Sequence, residues 1–370
     1  DHDLADMDLS ATGAMKGLDL DLSSGNTMQG EARFTDTQRL ESVDIPPPPA
    51  AEVIEPDDTD RVAALLEELV AELARRQAAA EPAAHEEIIL AIGEAADLSN
   101  DDDTPLVEAL ARAGYCVWRT EKRGVGDSEG PSCHDASFCD ETDDHAAGVA
   151  AALDSPSIDS NRVFVLGHSL GALHAPLVAA RVGGVRGVAL YGAGTLSWLD
   201  YLDANVRRQC ALAGLDAETT ARRVALRQRF SRAVIAEGRS VREVFAHDPA
   251  LAAEPKLLGV DDAMRVDERT ETYWREVQRC AVAPTLAAAR VPVLSMWGSA
   301  DWLTTREEHV ALARMADAAL PGGGRFVEVE GADHGFFAHE SVAASYASGW
   351  RGRFQPAVAD TLLAWLRGHA

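Results

Sequence analysis

Arg162-Val163-Phe164-Val165-Leu166-Gly167-His168-Ser169-Leu170-Gly171-Ala172-Leu173-His174-Ala175 is the stretch that decides the fold. Four consecutive apolar residues, two of them β-branched, run into a Gly-x-Ser-x-Gly turn. A helical stretch then continues to Arg181, with small residues at Gly171, Ala172 and Ala175 where it must lie close to the strand. Strand, tight turn and helix in that order expose a serine hydroxyl at a sheet edge and aim backbone amides at whatever sits there. Gly167 and Gly171 are expected to be structural, because side chains there would collide across the turn. His168 projects away from the serine and is expected to pack or hydrogen-bond at the turn.

The pattern alone is weak, because Gly126-Asp127-Ser128-Glu129-Gly130 satisfies it too. Its context differs. Ser128 follows the charged Glu121-Lys122-Arg123 and runs into Pro131, with neither a buried strand before it nor a helix after it.

Outward from the elbow, short apolar runs alternate with helical stretches. Ile88–Ile92, Tyr115–Trp118, Val163–Leu166, Val185–Tyr191, Val291–Trp297 and Phe326–Val329 read as strands. Pro105–Ala113, Glu141–Leu153, Leu170–Arg181, Arg306–Ala319 and Ala357–Arg367 read as helices. Fully apolar strands separated by helices imply parallel pairing with both faces covered. The expected class is therefore α/β, a mostly parallel doubly wound sheet formed by residues 84–195 and 291–370. Between them, residues 196–290 lose the strand signal and become Arg-rich and helical. Such an insertion at the loop edge would lie over the crevice where open α/β sheets bind ligands, which predicts a cap.

Residues 1–83 differ in kind. The first sixty are rich in Asp and Glu against Lys16, Arg33 and Arg39, and they end near the run Pro46–Pro49, a composition that favours an extended acidic tail. The alternation of Leu18, Leu20 and Leu22, a turn at 23–26 and a return through Met28 to Phe34 also fit a hairpin. Val62, Leu65, Leu66, Leu69, Val70 and Leu73 give an amphipathic helix near 60–80.

A formal net charge of -26 repels phosphate backbones and anionic lipid, so nucleic acid is not an expected partner. No run of eighteen apolar residues and no basic-then-apolar leader is visible, so neither a membrane span nor a signal peptide is expected, and localisation stays open. The five cysteines contain no C-x-x-C pair, which speaks against structural zinc. Cys133 with Cys139, or Cys210 with Cys280, are the pairings open to an exported chain.

A serine hydroxyl becomes nucleophilic when an imidazole takes its proton and a carboxylate fixes that imidazole. On this kind of sheet the chain order is Ser, acid, His. Asp301 follows the strand Val291–Trp297 and His334 follows Phe326–Val329, both in loops on the edge that carries Ser169. Asp333 is the competing acid, but it adjoins His334 in sequence, which makes a side-on hydrogen bond awkward. The oxyanion donors are expected to be the amide of Leu170 and one from the loop after Ile88–Ile92, Glu94 first and Gly93 next. This chemistry requires no metal or organic cofactor.

Over about residues 84–370 the chain resembles the α/β-hydrolase superfamily, on its elbow, acid loop and histidine loop in order. Arg119–Pro131, RTEKRGVGDSEGP, resembles the R-G-x-G-x-S-x-G loop after the fourth strand in esterases and peptidases of that superfamily, which makes Ser128 structural. GVGDSEGP together with Gly167–Leu177 resembles bacterial hydrolases related to dienelactone hydrolase and prolyl oligopeptidases. Where the superfamily often has His-Gly before the oxyanion loop, this chain has Ile92-Gly93. The resemblance implies that a serine, rather than Asp, at the elbow excludes the haloalkane dehalogenase and epoxide hydrolase branches.

The leading expectation is a carboxylesterase-like serine hydrolase acting on a small ester or acyl substrate through an acyl-Ser169 intermediate. Thioesterase, peptidase and acyltransferase activities share every one of these residues. A different class, a binding or docking protein on the same scaffold, has the N-terminal extension as its natural protein-partner surface.

Overall fold

The computed structural model describes residues 104–126, 128–349 and 351–369, and the backbone of 86–93. The expected acidic extension over 1–83, its hairpin and its helix near 60–80, and Glu94 lie outside these residues.

Six strands form one parallel sheet: β1 (Glu86–Gly93), β2 (Tyr115–Trp118), β3 (Ile158–His168), β4 (Val185–Tyr191), β5 (Val293–Gly298) and β6 (Gly324–Val329). Their order is β2-β1-β3-β4-β5-β6. The chain steps outward from β1 to β2, then returns to the other side of β1 for β3. That reversal opens a crevice at the carboxyl ends of β1 and β3, where ligands bind in open α/β sheets. Ser169 is the first residue beyond β3.

β3 begins at Ile158, well before the apolar run that announced it. Asp159, Ser160 and Asn161 are not buried, so this part of the strand carries no hydrophobic signal. Within the sheet the side chains alternate. Val163 and Val165 face one apolar cluster, while Phe164 and Leu166 face a second on the opposite side. The first cluster is closed by α2 (Phe138–Leu153) and α3 (Gly171–Arg181), through Val149, Ala152, Ala175 and Val178. The second is closed by α1 (Thr104–Arg112) and, near the C-terminus, Pro356–Arg367, through Leu110, Leu362 and Trp365.

Between β4 and β5 the chain forms α4 (Trp198–Leu212), α5 (Ala217–Ser231), a π turn (Arg232–Ala236), α6 (Val241–His247), α7 (Glu271–Arg279) and α8 (Val282–Ala289), with shorter turns among them. Val282, Leu286 and Ala289 of α8 join the core cluster with α3, so the core-facing layer resumes before residue 291. The preceding helices have an apolar cluster of their own, built on Leu202, Phe230, Val234, Tyr273 and Trp274, and Leu170 of the elbow belongs to it. A buried polar network also ties this helical block to the core. Glu141 of α2 accepts from Tyr273 Oη (3.0 Å) and pairs with Arg269 (2.7 Å), and Arg269 donates to the Cys133 carbonyl (2.6 Å). Burial opposes ionisation of Glu141, but the neighbouring His174 ring, with Nε2 3.6 Å from Oε2, and the Arg269 charge outweigh it and hold the carboxyl well below the usual carboxylate range.

No helix among the described residues is long and apolar enough to cross a membrane. None of the five cysteines is in a disulfide, so neither pairing considered above is formed.

Candidate active site

Ser169 has φ 54, a left-handed backbone that non-glycine residues rarely adopt and that costs about 1–3 kcal/mol. The turn is held by its own hydrogen bonds. Ser169 N donates to the Tyr191 carbonyl (3.0 Å) at the end of β4, and the Ser169 carbonyl accepts from Ala172 N (3.0 Å) as α3 begins. A Cβ on Gly167 would lie 2.5 Å from the Gly171 carbonyl oxygen and 2.8 Å from both Ala172 Cα and Ala175 Cβ. Only glycine fits, and the small residues after the serine are what let strand and helix approach so closely.

Ser128 occupies a different kind of structure. Its hydroxyl donates to the Glu121 carbonyl (3.1 Å), and Gly124 N donates to the Ser128 carbonyl (3.1 Å). The adjoining Arg123 grips Asp144 of α2 with two nitrogens, each 2.7 Å from a carboxylate oxygen.

His334 lies buried beyond β6, with Nδ1 2.9 Å from Asp301 Oδ2. Asp301 is held from every side: Oδ1 accepts from the amides of Leu303 (2.6 Å) and Thr304 (3.1 Å), and Oδ2 also accepts from Thr304 Oγ1 (2.6 Å). Burial alone would raise its pKa, but the His334 charge and these hydrogen bonds outweigh burial and hold it at about 2. The acid is thus a fixed anion that orients the imidazole with its proton on Nδ1 and leaves Nε2 as the basic nitrogen. Asp333 turns to its own loop instead. It accepts from Gly335 N (2.9 Å), Phe337 N (2.8 Å) and Ser345 Oγ (3.0 Å), and it lies 3.2 Å from His339 Nε2.

Several further residues bring these loops together, and of these Tyr191, Gly192 and Arg208 were not singled out by the sequence. Tyr191 takes the Ser169 amide on its carbonyl and donates its hydroxyl to the Asp333 carbonyl (2.6 Å), so one residue ties the serine turn to the segment carrying His334. Gly192, at φ 62, lies flat against the imidazole: a Cβ there would stand 2.6 Å from His334 Cε1. His309 accepts from Ala193 N through Nε2 (3.1 Å), donates from Nδ1 to Ser295 Oγ (2.9 Å) and touches Thr304, which links the loop after β4 to the acid loop. Burial pushes its pKa down to about 4, so it is neutral here. From the helical insertion, Arg208 donates to the carbonyls of Trp302 (2.8 Å) and Leu303 (2.7 Å). The turn that presents Asp301 is therefore gripped on its carbonyl side by α4 while its amides serve the carboxylate. His168 donates Nε2 to the His334 carbonyl (2.8 Å) and is neutral, its pKa pushed to about 3 by burial and by the neighbouring His334 charge.

Of the expected oxyanion donors, Leu170 stands at the start of α3, and its amide donates to no acceptor among the described residues. Gly93 ends β1 directly beside His168 in the sheet register, one residue before the serine. The geometry sets a hydroxyl on a strained turn, an imidazole oriented by a buried anion and an amide without an internal acceptor at one sheet edge. This combination can transfer an acyl group through a serine ester.

Six parallel strands, the nucleophile-elbow geometry after the third and acid and histidine loops after the fifth and sixth define an α/β-hydrolase-superfamily protein. The chain belongs to the family described as serine aminopeptidase, S33, which matches residues 87–341, and it is a hydrolase. No curated protein matches it. Among solved structures it is similar to DcsB in complex with its substrate analogue, at 15% identity over 77% of this chain and 91% of that one, with a TM-score of 0.49. It is also similar to the esterase PF2001 of Pyrococcus furiosus (16% identity, 76% and 83% covered, TM-score 0.44). The enol-lactonase of Burkholderia xenovorans LB400 is a third (20% identity, 78% and 94% covered, TM-score 0.42).

Proposed function

We propose that this chain cleaves a carboxylic ester through an acyl-Ser169 intermediate. The observation that carries the reading is the join at Tyr191-Gly192, which fixes the left-handed Ser169 backbone on one side and the Asp301-bound imidazole of His334 on the other. On this reading His334 Nε2 takes the Ser169 proton as Oγ attacks the carbonyl carbon, then returns that proton to the departing alcohol. Water, deprotonated by the same nitrogen, then cleaves the acyl-serine. Asp301 remains ionised throughout and stabilises the imidazolium. The Leu170 amide and an amide of the Gly93–Glu94 segment receive the oxyanion. Trp198–Arg279 acts as the cap, because its apolar cluster closes over Leu170, next to the nucleophile.

The family's printed description names a peptidase, so the test sets esters against amides. Wild-type protein is treated with a fluorophosphonate probe, then with p-nitrophenyl esters of increasing chain length and with aminoacyl p-nitroanilides. Labelling at Ser169 with ester turnover is expected. Faster turnover of the anilides would move the assignment to peptidase, and a folded protein that neither labels nor turns over would move it to a binding scaffold.

A further inference from the structure

Inside the helical insertion, Arg227 of α5 is buried, with 2% of its surface exposed. Its Nη2 lies 3.1 Å from Asp267 Oδ2, and the two side chains are 3% and 2% exposed. Packing alone gives no reason for such a pair, since matched apolar residues of similar volume are often as stable. Asp267 reaches Arg227 from a left-handed backbone at φ 46, followed by Glu268 at φ 62, so local strain accompanies the pairing. The second terminal nitrogen of Arg227, Nη1, has no acceptor among the described residues. A buried guanidinium N–H without an acceptor is costly.

Beside it is a cavity of about 10 Å³, lined by Arg227, Asp267, Ser231, Phe230, Trp198 and Trp274 among others. The two tryptophans stack in parallel, centroids 4.8 Å apart and planes 7° apart. Phe230 and Trp274 belong to the same apolar cluster as Leu170, the residue after Ser169, so the cavity stands within the insertion's packing against the elbow. A volume of this order admits one water-sized group.

We infer that this cavity is a specificity subsite for an uncharged oxygen acceptor, a carbonyl, ether or hydroxyl, carried on the arm of the substrate that enters the insertion. The inference rests on the acyl-serine reading and narrows its substrate class. Charge decides the kind of group. Arg227 and Asp267 sum to zero, so a carboxylate would bring uncompensated negative charge beside Asp267 into apolar surroundings. A hydrocarbon terminus would leave Nη1 unsatisfied. A neutral oxygen gives that N–H an acceptor at no cost in charge and fills a volume of one water-sized group.

The test uses ester pairs matched in length, one all-methylene and one with a ketone or ether oxygen, in two series: p-nitrophenyl esters varied on the acyl side and butyrate esters varied on the alcohol side. A third member of each set ends in a carboxylate. At one length in one series, wild type is expected to prefer the oxygen-bearing ester in kcat/KM by about tenfold or more, the scale of a hydrogen bond to a charged group, and to discriminate against the carboxylate. Arg227→Lys keeps a cation beside Asp267 but withdraws the planar fork, so the oxygen-to-methylene ratio should fall to near one. Wild-type ratios near one at every length, which need no variant to measure, overturn the subsite and leave a solvent-filled void. Preference for the carboxylate overturns it in favour of an anion site. Absence of fluorophosphonate labelling defeats the acyl-serine reading itself, which is distinguishable from loss of selectivity in an enzyme that labels.

Discussion

Residues 126–130 and 167–171 obey one G-x-S-x-G pattern and put it to different structural uses. At 167–171 a glycine is required because a helix backbone passes within 2.5–2.8 Å of where its Cβ would be, and the serine itself takes the left-handed conformation. At 126–130 the left-handed residues are the glycines Gly126 and Gly130, and the nearest atoms to a Cβ on Gly126 belong to the side chain of Glu121 rather than to backbone. One serine is strained and presented at a sheet edge; the other is relaxed and donates its hydroxyl to a backbone carbonyl. What separates them is the pair of elements that flank each pentapeptide, since only a strand running straight into a helix can hold a serine in the strained form.

The sharpest way to break this contrast is to remove each hydroxyl in turn. On the acyl-serine reading, Ser169→Ala should abolish fluorophosphonate labelling and lower kcat on p-nitrophenyl esters by on the order of 10⁴ or more. Ser128→Ala loses one part-buried hydrogen bond, worth about 1 kcal/mol, and should keep kcat within about threefold. A Ser128→Ala enzyme as inactive as Ser169→Ala would mean that the loop reading of 119–131 is wrong.

The glycines sharpen it further. Gly167→Ala sets a methyl group against the Gly171 carbonyl and the Ala172 Cα, backbone atoms that cannot move without displacing α3, and should destabilise the fold by about 3 kcal/mol. Gly126→Ala has a positive φ of 55 to overcome, but it meets the end of a side chain rather than backbone, so about 1 kcal/mol is expected. Urea unfolding of the two variants against wild type measures the difference. Equal losses would show that the close approach of strand and helix is not what makes Gly167 necessary.

How far the sequence could be read follows from the range of the interactions. The elbow is local: an apolar strand, a turn and small helical residues lie within one short segment, so the turn geometry at Gly167, Ser169 and Gly171 was legible. That Asp301 and His334 stand on the edge that carries Ser169 was legible because a parallel sheet puts every loop that follows a strand on the same edge. Tyr191 and Gly192 obey the same rule, standing at the end of Val185–Tyr191, and the Tyr-Gly pair was the available signal. The bonding partners of Arg208 and His309 were not legible. Arg208 meets the Trp302 carbonyl 94 residues away, and His309 bonds Ala193 across 116. Both sit in helices whose local pattern has no reason to mark one polar residue above another. Arg227 was hidden in the same way, since an arginine in an Arg-rich helix reads as surface until its burial is seen.

A smaller effect separates the two pentapeptides by pH. The elbow contains a buried imidazole, His168, and no such group stands between Gly126 and Gly130. Burial, with the His334 charge adding to it, lowers the His168 pKa from 6.5 to about 3, so the folded protein keeps the ring neutral while the unfolded chain protonates it. The unfolded state therefore binds the extra proton first as pH falls. The stability conferred by the neutral ring is complete above pH 6.5 and declines from there until the folded form also takes the proton, near pH 3. Between pH 7 and pH 5 this one group should remove about 2 kcal/mol. His168→Gln retains an N–H for the His334 carbonyl and has nothing to titrate. Its unfolding free energy, measured by urea at the two pH values, should fall by about 2 kcal/mol less than that of wild type. Parallel losses in the two proteins would mean that His168 is already exposed to protons in the folded state, and that the turn beneath Ser169 opens more readily than its packing implies.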